Sequence, residues 1–310
     1  MGLSTMTGAI AEREKKSAAL NSVLAALFLV VMKLIVGWLS GSLGILAEAA
    51  HSGLDLVAAL VTFWAVRTSS KPADHVHQYG HGKVENLSAL AETGLLLGTC
   101  VWIVVEAVER LSGREVRVDA SVWTFAVMII SIVVDVSRSR MLYRAARKHR
   151  SQALEADALH FSTDIWSSTV VIFGLLGVRA AAWWPEATWL HKADAVSAMM
   201  VALIVVWVSL RLGIRTIHAL LDAAPPGMAD QLKKVVEQID GVEDCHAIRI
   251  RSAGAQYFVD MHVLFDGALS LQAVHELTDK IEVAVGGVLP EADVTVHPEP
   301  KTSPKKSIAG

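Results

Sequence analysis

Long apolar stretches fill roughly the first 220 residues of the chain and then stop. Six of them are candidates for helices that cross a bilayer, at 18–39, 43–66, 87–108, 122–136, 158–178 and 195–212. A spanning helix needs about 20 mostly apolar residues and satisfies its backbone hydrogen bonds internally. The pattern therefore predicts an all-α transmembrane domain of six helices over 18–221, preceded by a cytoplasmic N-terminal tail at 1–17.

The pattern changes after Pro225 and Pro226. Helical periodicity covers 228–239 and 269–288, whereas 244–252, 256–266 and 293–297 alternate as strands do. The order α-β-β-α-β predicts a small cytoplasmic α+β domain of the ferredoxin-like kind over 222–300. The last residues, 301–310, are predicted to be disordered.

The basic residues between the apolar stretches predict the orientation. The connection between the fourth and fifth stretches is rich in them: Arg138, Arg140, Arg144, Arg147, Lys148 and Arg150. Arg67, Lys71 and Lys83 lie between the second and third stretches, on the same side. Because short cytoplasmic connections carry excess Lys and Arg, both termini are predicted to be cytoplasmic. The first apolar run is too long for a secretion signal, so we expect a multi-pass protein of the inner cell membrane.

Composition adds little beyond the membrane prediction. The chain has 310 residues, is 53% hydrophobic and carries a formal net charge of −3, which gives no reason to expect a nucleic-acid partner. Its two cysteines, Cys100 and Cys245, lie far apart in different predicted domains, so no disulfide is expected.

The second and fifth apolar stretches each contain the spacing His-x-x-x-Asp, as His51 with Asp55 and His160 with Asp164. Residues four apart share one face of a helix, so two opposed helices would offer two nitrogens and two carboxylates. This set suits zinc, which accepts both ligand types in tetrahedral geometry, better than magnesium, calcium or manganese. The alternative is a group of buried polar residues bonded across helices, with Glu48 and Asp157 as nearby charges.

These doublets, the six apolar stretches and the α+β tail resemble the cation diffusion facilitator family, and the resemblance covers nearly the whole chain. It implies a transporter rather than an enzyme, with His51, Asp55, His160 and Asp164 as the transport site. Since the first doublet begins with His rather than Asp, zinc is the expected cargo, and cobalt, cadmium, nickel and iron remain open.

The resemblance also implies accessory sites. One is a loop site of Asp74, His77 and His81, beside the additional His75. The other lies in the tail domain, which resembles metallochaperones and would form a homodimer held by a structural or regulatory Zn²⁺. Its implied ligands are His246, His262, His275, His297 and Glu299. Cys245 is a possible extra ligand. Lys83 and Asp222 match a charge pair near the junction of membrane and tail.

The mechanism we expect is efflux by proton-coupled antiport with alternating access, because metal binds only neutral imidazole and ionised carboxylate. A second hypothesis is a membrane-embedded metal hydrolase. His275, Glu276 and Asp279 superficially resemble a zincin helix, but the fifth position is Asp. A third hypothesis is a metal sensor without transport. A sensor would need a signalling domain, and the tail has no room for one.

Overall fold

The computed structural model describes residues 2–41, 43–111, 122–181, 190–290 and 292–301. It divides the chain into two compact units, Met1–Ile217 and His218–Gly310. This division falls close to the change in sequence pattern that predicts the boundary between 221 and 222. The predicted disordered segment lies almost entirely outside the described residues.

The described part of the first unit contains six long helices. They are α1 (Gly2–Ser40), α2 (Leu43–Ser69), α3 (Lys83–Leu111), α4 (Val122–His149), α5 (Gln152–Ala181) and α6 (Leu190–Leu220). Most exceed the predicted apolar stretches because their polar ends continue the helix. The region predicted as an N-terminal tail is helical from Gly2, since its Ala, Glu, Arg and Lys residues are strong helix formers. Residues 112–121 and 182–189, two of the predicted connections, lie outside the described ranges.

The side chains of this unit are arranged with apolar groups outward and charged groups inward. Trp38 and Leu54 are 82% and 68% exposed, whereas Glu92 and Asp157 are 1% and 0% exposed. This inversion is typical of helices surrounded by lipid. Among the described residues, three helical segments meet the length and hydropathy of a membrane span: Ile10–Ser40, Glu48–Ser69 and Ala202–Leu220.

Helix packing brings the two His-x-x-x-Asp helices together. Helix α5 contacts α2, α3 and α4, and α1 contacts α2 and α4. Leu212 of α6 packs with Ala89 of α3 and Ala156 of α5. The doublets of α2 and α5 therefore lie on neighbouring elements.

The second unit has the predicted order of elements. Helix α7 (Met228–Val236) is followed by β1 (Asp244–Ala253), β2 (Gln256–Phe265), α8 (Leu271–Val288) and β3 (Asp293–Pro300). The sheet order is β1-β2-β3, with β1 antiparallel and β3 parallel to β2. Met261 and Val263 of β2 share a core with Ile281 of α8. Because side chains alternate along a strand, His262 lies on the opposite face of the sheet from this core.

We expect Ile281→Ala to destabilise the second unit by about 2–5 kcal/mol, because it removes a fully buried side chain from the core. Hydrogen exchange of β2 amides in the full-length chain would show faster exchange. Val283→Ala, on the exposed side of the same helix, is the matched control. Equal exchange in the two variants would contradict this core assignment.

Candidate metal centres

Asp55, His160 and Asp164 meet inside the first unit. The Nε2 atom of His160 lies 3.1 Å from Oδ1 of Asp55 and 3.8 Å from Oδ2 of Asp164. One ligand atom from each of the three residues lies within 4.8 Å of the others. Asp55 and His160 are buried and Asp164 is nearly so. The arrangement offers a nitrogen and two carboxylate oxygens to one ion.

His51, the fourth residue of the two doublets, is outside this trio. It lines the same cavity as Asp55 and Asp164, and its ring stands edge-on to Trp102 of α3 at 6.3 Å between centroids. Residues four apart share one face of a helix, but this spacing does not fix the orientation of each side chain on that face.

The chemistry of the trio fits a divalent ion of borderline softness. One imidazole with two carboxylates leaves a coordination position open in a tetrahedral site. The Nδ1 atom of His160 is buried without a hydrogen-bond partner among the described residues. Two carboxylates also neutralise a divalent charge where solvation is poor.

A buried polar chain lies one helical turn from the trio. Arg138 of α4 donates from Nε to Ser22 Oγ of α1 at 2.7 Å, and Ser22 donates to Asp157 Oδ2 of α5 at 2.9 Å. The guanidinium of Arg138 also stacks on the ring of Phe161, 3.3 Å from its centroid. This chain ties α1, α4 and α5 together beside the cavity, which Arg138 also lines.

Glu85 forms a second buried junction at the start of α3. It is 1% exposed and accepts hydrogen bonds from Lys15 of α1 and Ser69 of α2, each at 2.8 Å. Ser151, just before α5, donates to its other oxygen. One carboxylate therefore joins four segments of the chain at the same end of the helices.

The loop between α2 and α3 brings together Asp74, His77 and His81. The ring nitrogens of His77 and His81 each lie 3.4 Å from a different oxygen of Asp74. The loop turns back at Gly80, whose φ of +75° favours glycine and whose N–H donates to the His77 carbonyl at 2.9 Å. His75 is not part of this cluster.

The charge of Asp74 is stabilised within the loop. The backbone N–H of His77 donates to its carboxylate at 2.6 Å, which is the main reason that the pKa of Asp74 lies below its usual value. The N–H of Val76 donates to the same oxygen. The carboxylate is therefore held ionised and aimed at the two imidazoles.

The tail cluster is a row across the open face of the sheet. His246, His262 and His297 are register neighbours on β1, β2 and β3. Glu299 accepts from His262 at 2.8 Å, which lowers the pKa of this carboxyl, and its second oxygen lies 3.4 Å from His246 Nε2. A bulge follows His246, where Ala247 adopts a φ of +50°.

Two residues considered for the tail site lie elsewhere. His275 is on α8, which covers the other face of the sheet, and its ring faces Asp279 at 3.9 Å on the exposed side of that helix. Cys245 packs in the core, where its thiol lies 3.9 Å from Met261 Sδ and burial raises its pKa to about 11. The structure therefore does not bring either side chain to the histidine row of its own protomer.

The two residues of the predicted charge pair belong to different units. Lys83 begins α3 in the first unit, and Asp222 follows α6 in the second. Their pairing stays a prediction.

Sequence reasoning missed several buried charges. Lys33 of α1, which lines the cavity, and Glu85 were not assigned any role, and Arg138 was counted as part of a basic connection. The available signal is a charged residue within an otherwise apolar helical stretch, which is costly in a membrane and therefore points to function.

These features define a membrane protein that handles metal cations, and comparison with known proteins gives the family. Residues 19–221 match the cation efflux transmembrane domain, and residues 224–301 match the cytoplasmic domain of cation efflux proteins. The chain belongs to this family, the cation diffusion facilitators. It is therefore a cation-efflux transporter of divalent metal rather than a member of an enzyme family.

Similar proteins include the cation-efflux pump FieF of Yersinia enterocolitica, 31% identical over 288 residues, which cover 92% of each chain. FieF of Shewanella oneidensis is 32% identical over 286 residues, covering 92% of this chain and 94% of the relative. Among solved structures, the metal-bound C-terminal domain of the CzcD transporter from Thermotoga maritima is 35% identical, with a TM-score of 0.24, covering 25% of this chain and 92% of that domain.

We expect Arg138→Met to destabilise the first unit by about 3 kcal/mol, because it leaves the buried carboxylate of Asp157 without its cation. The melting temperature of the detergent-solubilised full-length chain would fall. Arg140→Met, at an exposed position of the same helix, is the matched control. A melting temperature that falls equally in both variants would contradict a specific role for Arg138.

Proposed function

We propose that the protein exports zinc from the cytoplasm across the inner cell membrane in exchange for protons. The observation that carries this proposal is the meeting of Asp55, His160 and Asp164 from α2 and α5. Two carboxylates and an imidazole suit zinc, and His51 on the same cavity wall completes the four-ligand transport site. The FieF relatives are named as cation-efflux pumps, which supports efflux as the direction.

Proton coupling follows from competition for the same atoms. The nitrogen of His160 that faces both carboxylates can hold a proton or a metal ion, but not both. Imidazole ordinarily titrates near pH 6.5, within reach of physiological gradients. Proton uptake therefore favours release of the metal on the acidic side of the membrane. With six membrane crossings and cytoplasmic termini, the proposed direction of transport is from the cytoplasm outward.

The loop and tail clusters are proposed as accessory zinc sites. Asp74, His77 and His81 would hold one ion near the cytoplasmic end of α2 and α3. His246, His262 and Glu299 would hold another, with His297 beside them at 4.7 Å between ring centroids of His262 and His297. The tail would also form the homodimer, since it matches the cytoplasmic domain of the family. His275 lies on the other face of the sheet, so it cannot bind the same ion as His246, His262 and His297 of its own protomer.

The transport site is tested by zinc flux into sealed vesicles containing the full-length chain, under an imposed pH gradient. We expect Asp55→Asn and Asp164→Asn to abolish flux, because each removes a negative ligand from the ion. Asp230→Asn, at an exposed position of α7, controls for the substitution itself. Normal flux in either ligand variant would defeat the assignment, and flux indifferent to collapse of the gradient would defeat antiport. The same assay with cobalt, cadmium, nickel and iron tests the preference for zinc.

We expect zinc at the loop to be lost on acidification, because protons compete with zinc for the imidazole nitrogens. Protonation of Asp74 does not cause this loss, because its pKa is depressed and its carboxylate stays ionised to lower pH than an ordinary carboxyl group. Titration calorimetry on the full-length chain carrying Asp164→Asn and His262→Ala isolates the loop. In that background His81→Ala should abolish binding and His75→Ala should leave it unchanged. Equal loss in the two variants, or binding that persists at pH 4, would exclude this loop site.

A further inference from the structure

Lys33 is a buried ammonium on the wall of the cavity that Asp55 and Asp164 of the trio also line. It is 5% exposed, and its Nζ donates to Ser52 Oγ at 2.8 Å and to Glu48 Oε2 at 3.2 Å, both on α2. Burial of an ammonium in a poorly solvated region is costly unless the charge is compensated or used. A single carboxylate partner compensates it only in part, since the Glu48 side chain is 57% exposed to solvent.

Lys33 contributes to the charge balance of the cavity. The lining carries four carboxylates, Glu48, Asp55, Asp135 and Asp164, together with two cations, Lys33 and Arg138. With the histidines neutral, the formal charge of the lining is −2, which a divalent ion brings to zero. Without Lys33, the same lining would hold a divalent ion with one uncompensated negative charge.

We propose that Lys33 sets the affinity of the transport site, by opposing the bound cation strongly enough for it to be released. This inference rests on the proposed function, since it assigns a role within the same site. An ammonium has three donors and no acceptor, so Lys33 is not a metal ligand. It acts through the charge that it places beside the ligands, and a transporter needs such a limit because an ion bound too tightly does not leave.

A purely structural role for Lys33 predicts something different. Its contacts with Glu48 and Ser52 also connect α1 to α2, and loss of that connection would lower stability without tightening metal binding. Removal of the charge and removal of the hydrogen bond are therefore separate tests. Ser52→Ala removes a hydrogen-bond partner and leaves the charge in place.

The experiment measures zinc binding by calorimetry in the full-length chain carrying Asp74→Ala and His262→Ala, which disable the loop and tail clusters. We expect Lys33→Gln to lower the dissociation constant about tenfold or more, given the Coulomb energy between a divalent ion and a nearby charge. Lys33→Arg and Ser52→Ala should stay close to the parent value. Glu48→Gln should weaken binding, because it removes a carboxylate from the lining. Lys16→Gln, on the same helix and paired with Glu12, is the matched control.

Vesicle flux with the same variants gives the second readout. Lys33→Gln should lower both the half-saturating zinc concentration and the maximal rate, because release becomes slow. An unchanged or weaker zinc affinity in Lys33→Gln overturns the inference, as does equal weakening in Lys33→Gln and Ser52→Ala. If the parent chain binds zinc but carries no flux, transport fails while the calorimetry still decides the role of Lys33. If the parent neither binds nor transports zinc, both proposals fail.

Discussion

The need to compensate charge that is buried among apolar helices governs the first unit. Its helices expose tryptophan and leucine outward, so every ionised group inside must find its partner on another helix. Glu85 accepts from Lys15, Ser69 and Ser151, and Asp157 is reached by Arg138 through Ser22. These partners come from different helices, so they fix which helices pack together and at what depth, where apolar contacts alone would allow sliding.

The buried polar contacts and the cavity lie at different levels along the helices. Glu85 and the Arg138–Ser22–Asp157 chain use the first half of α1, the end of α4 and the beginnings of α3 and α5, which meet at one end of the bundle. The cavity lining extends further along α1 and α5, to residues such as Leu29 and Ser168, and Arg138 belongs to both the polar chain and the lining. The trio therefore has the Arg138–Ser22–Asp157 chain as one neighbour and the cavity as another. Alternating access, as proposed, requires these bonds to be exchanged for others, which hydrogen bonds and ion pairs permit more readily than interlocked apolar packing.

What the sequence predicted, and what it did not, follows from the range over which each interaction acts. The placement of His160 and Asp164 on one helix face and the alternation of side chains along β2 depend on residues close in sequence, so spacing predicts them. The position of His51 outside the trio and the role of Lys33 depend on side-chain orientations set by neighbouring helices. In the tail, alternation predicted the strands, but the bulge after His246 and the separation of His275 from the histidine row arise from tertiary packing. A periodic pattern predicts which residues share one face of a helix or strand. It does not predict which residues of other elements contact that face.

The metal ligands and the charges around them have different effects on which metal is bound. Asp55, His160 and Asp164 offer donor atoms that zinc shares with cobalt, nickel, cadmium and iron, so ligand identity alone discriminates weakly. The surrounding charges act on all divalent ions alike and therefore set strength of binding rather than identity. Selectivity must then come from geometry, above all from whether His51 can join the trio at the short distances of a tetrahedral ion. An ion that prefers six ligands would need further oxygen donors or water in the cavity. Binding of His51 as a fourth ligand would therefore stabilise such an ion less than it stabilises zinc.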